Sequence, residues 1–127
     1  MSFEIIKTDN APAPVGPYSQ AVKAGGFVYL SGQIPLDPKS GELVLDSISA
    51  QAELVMKNLG AVLDQAGLDY SHIIKCNIFL TDMGDFAELN EVYAKYFPNN
   101  PPARACVAVK QLPKGVDVEI EAIAYDG

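Results

Sequence analysis

The strongest constraint on the fold is a helical pattern of apolar residues in the middle of the chain. From about Ser49 to Ala66, apolar side chains recur at the spacing i, i+3, i+4, i+7, and Gly67 follows as a stop signal. The stripe consists of Ala52, Val55, Met56, Leu59, Val62, Leu63 and Ala66. A helix with such a stripe must bury it against another element, so we expect a layered fold in which this helix covers a sheet.

Segments on both sides of this helix alternate with the period of two that is typical of β-strands. Residues 26–32 and 42–46 predict a hairpin, with Pro and Gly residues in the connection. Residues 73–80 predict a further strand, in which Cys76 shares the apolar face and is therefore expected to be a core thiol. Residues 103–109 and 116–125 predict the last two strands.

A second helix is predicted from Asp82, which can cap it, to about Phe97. Its apolar stripe is formed by Phe86, Leu89, Tyr93 and Phe97. Asn90 falls on the same stripe, where it is either a rim residue that faces water or a buried amide that needs hydrogen-bond partners. The pattern alone leaves both interpretations open.

Together these elements predict the fold class α+β, as a single two-layer domain over residues 1–127 with a mixed β-sheet and two helices packed on one face. In the last strand Val116, Val118, Ile120, Ala122 and Ala124 share one face, and Asp117, Glu119, Glu121, Ile123 and Tyr125 share the other. The second set mixes charge with large apolar groups. We interpret that face as a subunit interface.

Charge and composition exclude several classes of function. The chain has 127 residues with 9 Lys and Arg against 16 Asp and Glu, a formal net charge of -7. A polyanion would be repelled, so we expect no nucleic acid among the partners. No apolar run is long enough to span a membrane, and the N-terminal residues show neither a basic nor an apolar signal region. We expect a cytoplasmic protein without a membrane partner.

Metal and thiol chemistry are also poorly supported. Cys76 and Cys106 are the two cysteines, and His72 is the single histidine, so no set of residues has the spacing of a zinc site. Cys106 lies two residues from Arg104, which could lower the pKa of its thiol, but no histidine base accompanies it. We therefore expect no metal, and a binding role for the Cys106 backbone rather than covalent catalysis.

Arg104 is the residue most suited to chemistry. If residues 103–109 and 116–125 form an antiparallel hairpin, with Ala108 opposite Asp117, then Arg104 projects from the open face beside Glu119 and Glu121. One interpretation is an ordinary cross-strand ion pair, which contributes little. The other is a binding site, because a planar guanidinium in a partly dry cleft binds a carboxylate through two hydrogen bonds while a nearby acid handles water.

The sequence resembles the Rid (reactive intermediate deaminase, YjgF-like) family. The segment PARACVAVKQLPKGVDVEIEA is similar to the family's signature, and APVGPYSQAV, YLSGQIP and DFAELNEVYAKYF match its other characteristic stretches in order. The resemblance covers essentially the whole chain. It implies a chorismate-mutase-like fold, a homotrimer with sites between subunits, and the hydrolysis of 2-iminobutanoate and 2-iminopropanoate to 2-keto acids and ammonia without a cofactor.

The resemblance also implies residue roles. Arg104 would hold the substrate carboxylate, Glu119 would be the acid that handles water, and Tyr18 would help to hold that water. The pocket residues implied are Ser31, Gly32, Asn90 and the backbone of Cys106, some of them supplied by an adjoining subunit. This favours the catalytic interpretation of Arg104 over the ion pair. A non-catalytic trimer that binds keto or amino acids, and a holdase-like or translation-inhibiting protein, remain alternatives.

Overall fold

The computed structural model describes residues 2–127. Within this range six strands form one mixed sheet, and two helices pack on one of its faces. The elements in chain order are β1 (Glu4–Ile6), β2 (Ala21–Ala24), β3 (Phe27–Gln33), α1 (Ile48–Gln65), β4 (Ile73–Leu80), α2 (Phe86–Lys95), β5 (Ala103–Ala108) and β6 (Val118–Tyr125). The predicted fold class, with a mixed sheet covered on one face by two helices, is confirmed.

The spatial order of the strands is β1-β2-β3-β6-β4-β5. Only β4 and β5 run parallel, and every other neighbouring pair is antiparallel. Parallel neighbours need a crossover connection, and α2 supplies it between β4 and β5. β5 is therefore an edge strand, and β4 lies between it and β6.

The core lies between the two helices and the covered face of the sheet. The α1 residues Ala52, Val55, Met56, Leu59, Val62 and Leu63 are all buried, as the stripe predicts. Cys76 has no exposed surface, which confirms the prediction of a core thiol, and burial raises the pKa of that thiol. In β6 the buried side chains are Val118, Ile120, Ala122 and Ala124, whereas Glu119 and Glu121 lie on the open face.

The predicted hairpin of residues 26–32 with residues 42–46 is wrong. β3 instead pairs with β2 on one side and with β6 on the other, which leaves no free edge for residues 42–46. β2 and β3 are joined at Gly25 and Gly26, whose φ angles of 58° and 85° suit glycine. The segment after β3 forms hydrogen bonds with itself, such as the 2.9 Å bond from the Asp37 N–H to the Glu42 carbonyl.

The predicted hairpin between the last two strands is also wrong. β5 and β6 do not pair, because β4 is inserted between them and forms hydrogen bonds with both. The turn at residues 112–115 exists as a short 3-10 helix, Pro113–Gly115, but it leads the chain past β4 to the far side. The second helix begins later than predicted, since Asp82 caps a separate 3-10 turn, Met83–Asp85, that precedes α2.

Candidate functional site

The predicted site residues fall into two groups that the sheet keeps apart. In the register of β4, Arg104 is opposite Cys76 and Glu119 is opposite Phe79. Cys76 and Phe79 are three residues apart, and an odd separation along a strand places side chains on opposite faces. The prediction that Arg104 lies on the open face with Glu119 and Glu121 is therefore wrong. Arg104 and Cys106 lie on the face that the helices cover.

The first group, here the Arg104 cluster, consists of Phe86, Asn90, Tyr93, Arg104 and Cys106. Arg104 Nη1 donates a 2.7 Å hydrogen bond to Asn90 Oδ1. The Arg104 Cζ lies 5.2 Å from the centroid of the Phe86 ring and 5.1 Å from that of Tyr93, within the range of cation–π attraction. These contacts are made by one face of α2.

Arg104 forms no ion pair with a carboxylate among residues 2–127. The interpretation of this residue as a cross-strand ion pair with Glu119 or Glu121 is thus excluded within one chain. Arg104 is itself exposed, and Asn90 is half-buried at the rim of α2. The two residues also line a cavity of about 470 Å³ with Tyr93, Ala94, Phe97, Pro101 and Pro102.

Cys106 is partly buried two residues beyond Arg104 on the same face of β5. Burial raises the pKa of its thiol, and the positive charge of Arg104 opposes this with the smaller effect. A thiol whose pKa is raised holds less thiolate at neutral pH, and the thiolate is the nucleophile. This agrees with the expectation that Cys106 is not a covalent catalyst.

The second group, here the Glu119 pocket, consists of Tyr18, Ser31, Gly32, Lys114 and Glu119. With Val15, Ile34 and Pro113 these residues line a cavity of about 320 Å³. Four of the predicted site residues therefore meet in one place. Lys114 was not predicted as a site residue, because its position in the LPKG turn indicates only a connection.

A β-bulge shapes this pocket. Leu30 is opposite Ala122 and Gln33 is opposite Ile120, so β3 advances three residues while β6 advances two. The extra residue of the bulge lies in the segment formed by Ser31 and Gly32. Bulges of this kind redirect side chains and are common beside active sites. At Gly32 a Cβ atom would collide with the Glu119 carboxylate, so the absence of a side chain there leaves room for the acid.

The electrostatics of the pocket raise the pKa of Glu119. Partial burial raises the pKa of its carboxyl, and repulsion from Glu121, two residues along the same face, adds to the effect. Glu121 is itself held by Asn77, whose Nδ2 donates a 3.0 Å hydrogen bond to its Oε2. A carboxyl whose pKa is shifted towards neutrality can both accept and return a proton under ordinary conditions.

The segment that carries Tyr18 is fixed by a residue that the sequence did not single out. Gln20 is 2% exposed, and its Nε2 donates to the carbonyls of Thr8 at 3.0 Å, Ala11 at 3.3 Å and Pro12 at 2.9 Å. Its Oε1 accepts a 2.7 Å hydrogen bond from the Thr8 N–H. No periodicity marks this role, because a Gln in a loop usually faces water.

The loop is tied to the bulge as well. The Ser31 hydroxyl donates a 2.6 Å hydrogen bond to the Ser19 carbonyl, and the Ser31 N–H donates a 2.9 Å bond to the Gln20 carbonyl. Ser31 thus joins β3 to the segment that carries Tyr18. The Tyr18 side chain itself is half-exposed at the mouth of the pocket.

Neither helix could span a bilayer, since among residues 2–127 none combines the required length with enough apolar character. In the same range, no group of three or more His, Cys, Asp or Glu side chains is arranged to hold a metal ion.

Comparison with known proteins finds relatives that match nearly the whole chain. The model of the family described as Endoribonuclease L-PSP matches residues 8–126. Protein DfrA of Myxococcus xanthus is 58% identical over 98% of this chain and 96% of its own length. The mouse protein named 2-iminobutanoate/2-iminopropanoate deaminase is 48% identical over 98% of this chain and 92% of its own length.

A solved structure extends the likeness to three dimensions. The crystal structure of E. coli TdcF with bound serine matches with a TM-score of 0.93 and 46% identity, over 98% of this chain and 99% of that one. The chain belongs to the Endoribonuclease L-PSP family, which includes the Rid proteins. The resemblance seen in the sequence is thereby confirmed.

Proposed function

We propose that this protein hydrolyses small 2-imino acids, such as 2-iminobutanoate and 2-iminopropanoate, to 2-keto acids and ammonia. The observation that carries the proposal is that the two groups of residues supply different chemical functions. The Arg104 cluster offers a fixed guanidinium that suits a carboxylate, and the Glu119 pocket offers an acid with a raised pKa. The name of the mouse relative supports this reaction class.

The proposed site takes the Arg104 cluster from one subunit and the Glu119 pocket from the next. One chain cannot unite them, because they lie on opposite faces of its sheet. β5 is an edge strand whose side chains, apart from Arg104, are small, and most of them are exposed. Such an edge is normally covered by another element. The open face exposes Tyr29 and Tyr125, which also favours a partner. With the family resemblance, this supports a homotrimer with sites between subunits.

In this mechanism Arg104 orients the substrate by binding its carboxylate through two hydrogen bonds. Asn90 and the Cys106 backbone line the same side of the substrate. The carbon of a protonated imine is already electrophilic, so only water has to be delivered and activated. The reaction needs no cofactor for that reason.

Glu119 would accept one proton from the attacking water as the new C–O bond forms. The product of this step is a carbinolamine, which carries a hydroxyl and an amino group on the same carbon. Glu119 would then return the proton to the nitrogen, and the C–N bond would break as the hydroxyl oxygen forms the C=O bond and gives its proton to Glu119. Ammonia would take up that proton and leave as ammonium, together with the 2-keto acid. Tyr18 would hold the water, with Ser31 and Gly32 shaping the pocket around it.

The test is the decay of 2-iminobutanoate generated in situ, with and without the protein. We expect decay to accelerate in proportion to protein concentration. A decay rate that is independent of the protein would reject the reaction.

A second candidate is a non-catalytic trimer that binds keto or amino acids for regulation. The observation that favours it is the serine bound in E. coli TdcF, an amino acid with a carboxylate. The same assay separates the two candidates when 2-ketobutyrate binding is measured in parallel. Binding without accelerated imine decay would support the regulatory protein.

The family's name also suggests RNA cleavage as a function, but a formal charge of -7 opposes binding to a polyanion.

A further inference from the structure

The guanidinium of Arg104 is held by three side chains from one face of α2. Phe86, Asn90 and Tyr93 are spaced i, i+4 and i+7, which places them on the same side of a helix. The two rings lie 5.2 Å and 5.1 Å from Arg104 Cζ, and the Asn90 Oδ1 accepts from Nη1 at 2.7 Å. The sequence marks these positions as a core stripe, but the structure shows that the stripe also contacts a cation.

The rings are themselves fixed by the core. Tyr93 is 4% exposed, and its ring lies 4.7 Å from that of Phe97, centroid to centroid. Phe86 packs against the buried cluster beneath α2. Arg104, by contrast, is exposed on an edge strand, where a long side chain would otherwise sample many rotamers. Because the core fixes the two rings, their contacts with Arg104 restrict the motion of its exposed guanidinium.

The contacts leave much of the guanidinium free. Among residues 2–127, the bond from Nη1 to Asn90 is the only hydrogen bond that the Arg104 side chain donates, so Nε and Nη2 remain open. A carboxylate needs two parallel donors in one plane, and a guanidinium that is already held in a plane loses less entropy when the ligand binds.

We propose that Phe86 and Tyr93 are positioning residues that hold the Arg104 guanidinium in the plane that receives a ligand carboxylate. This inference rests on the proposed function for the identity of the ligand, a 2-keto or 2-imino acid. Asn90 assists by accepting the hydrogen bond from Arg104 at its Oδ1, so it acts on the ligand through Arg104. The competing account is that the rings merely stabilise the fold and that Arg104 orders only when a ligand arrives.

A spectroscopic readout separates these accounts. Arg104 is the only arginine in the chain, so protein labelled with ¹⁵N-arginine gives a single side-chain Nε–Hε signal. In the ligand-free wild type we expect this signal to be displaced by the ring currents of the two aromatic rings and to show slowed rotation of the guanidinium. Phe86→Leu should move the signal towards the position of a free arginine, whereas Phe86→Tyr should keep it near the wild-type position.

Binding of 2-ketobutyrate, measured by calorimetry on the same proteins, supplies the functional readout. We expect Phe86→Leu to weaken binding about three- to fivefold, the size of one partly exposed cation–π contact. Tyr93→Phe keeps the ring and should preserve both the signal and the affinity. Tyr96→Leu is the matched control, because Tyr96 caps the C-terminal end of α2 but contacts Tyr70 and Glu53 instead of Arg104.

The proposal is overturned if the wild-type signal already resembles free arginine, or if Tyr96→Leu and Phe86→Leu weaken binding equally. A different result would show that the proposed function is wrong. If the signal and the binding follow the expected pattern but the wild type does not accelerate imine decay, the positioning role stands and the reaction assigned to the site is wrong.

Discussion

Arg104 and Glu119 project from opposite faces of one sheet, because their partners on β4, Cys76 and Phe79, are separated by an odd number of residues. This relationship decides how the proposed site can be assembled. A guanidinium and a carboxyl that cannot meet within one chain can meet only between two copies of it. Each surface of the subunit is then half of a site.

Replacing Arg104 should abolish ligand binding while the fold survives, because its side chain is exposed and forms no ion pair within residues 2–127. Arg104→Ala should lose measurable affinity for 2-ketobutyrate. Arg104→Lys should lower the rate constant for imine hydrolysis, kcat/KM, about tenfold or more, equivalent to about 1.4 kcal/mol, since lysine lacks the planar fork. Calorimetry and imine decay on folded variants check both. Wild-type hydrolysis by Arg104→Ala would show that the site is elsewhere.

Glu119→Gln should separate binding from turnover. The amide keeps the shape of the side chain but cannot accept a proton from water, so 2-ketobutyrate should still bind while kcat falls. The wild-type rate should also fall as the pH is lowered through the raised pKa of Glu119, above the ordinary carboxyl value, because the base becomes protonated. This acid limb should be missing from the residual activity of the variant. An unchanged limb would assign the titration to another group.

The same substitution has a consequence for stability. Since the pKa of Glu119 is higher in the folded chain, the folded state binds more protons than the unfolded state between the ordinary and the raised pKa. Stability is therefore lost as the pH rises through this interval. At neutral pH Glu119→Gln should raise the free energy of unfolding, and the gain should shrink towards acidic pH. Urea titrations at several pH values measure it, and equal gains at all pH values would contradict the argument.

Gly32→Ala should disturb the acid without unfolding the protein. An added methyl group would collide with the Glu119 carboxylate, which is the mobile end of a side chain and can turn away. We expect a lower kcat for imine decay, nearly unchanged 2-ketobutyrate binding and a small change in stability. Gly41→Ala meets no atom within 4 Å but strains a φ of 74°, a cost that Gly32→Ala does not carry, so a fall in kcat confined to Gly32→Ala is due to the collision. Wild-type turnover in Gly32→Ala would remove Gly32 from the site.

Gln20→Glu should destabilise the chain by about 2–4 kcal/mol, because a carboxylate cannot donate to carbonyls and would be buried without a cation. The Gln20 amide donates to three loop carbonyls in the structure. Urea unfolding measures the loss. Asn10→Asp, a similar amide-to-acid change at an exposed position of the same loop, should cost much less. Equal costs would mean that the buried hydrogen bonds of Gln20 contribute little.

The sequence predicts the elements of this fold better than their pairing. The period of the α1 stripe and the alternation in β4 and β6 are local properties, and these three elements lie within about two residues of their predicted bounds. Strand pairing is a long-range property. Residues 103–109 and 116–125 are adjacent in sequence, but the α2 crossover requires β5 to run parallel to β4, and this displaces β6 to the other side of β4.

The error in pairing carried over to the site. An antiparallel hairpin would have placed Arg104 beside Glu121, whereas insertion of β4 reverses the face on which Arg104 lies. The residue types were still informative, since Tyr18, Ser31, Gly32 and Glu119 do meet in one pocket. Gln20, Lys114 and the bulge at Ser31 were missed because their roles depend on contacts that no local pattern records.

The central claim is that one site joins Arg104 of one subunit to Glu119 of another, and mixing two impaired variants tests it most directly. Arg104→Ala is expected to be inactive in imine decay, and Glu119→Gln is expected to keep only a small residual activity. After the two proteins are unfolded together and refolded as mixed trimers, an interface that takes Arg104 from one variant and Glu119 from the other is intact. Random mixing in a ring of three should restore about one quarter of the wild-type activity per site. Mixed trimers with no more activity than the separate variants would contradict the claim.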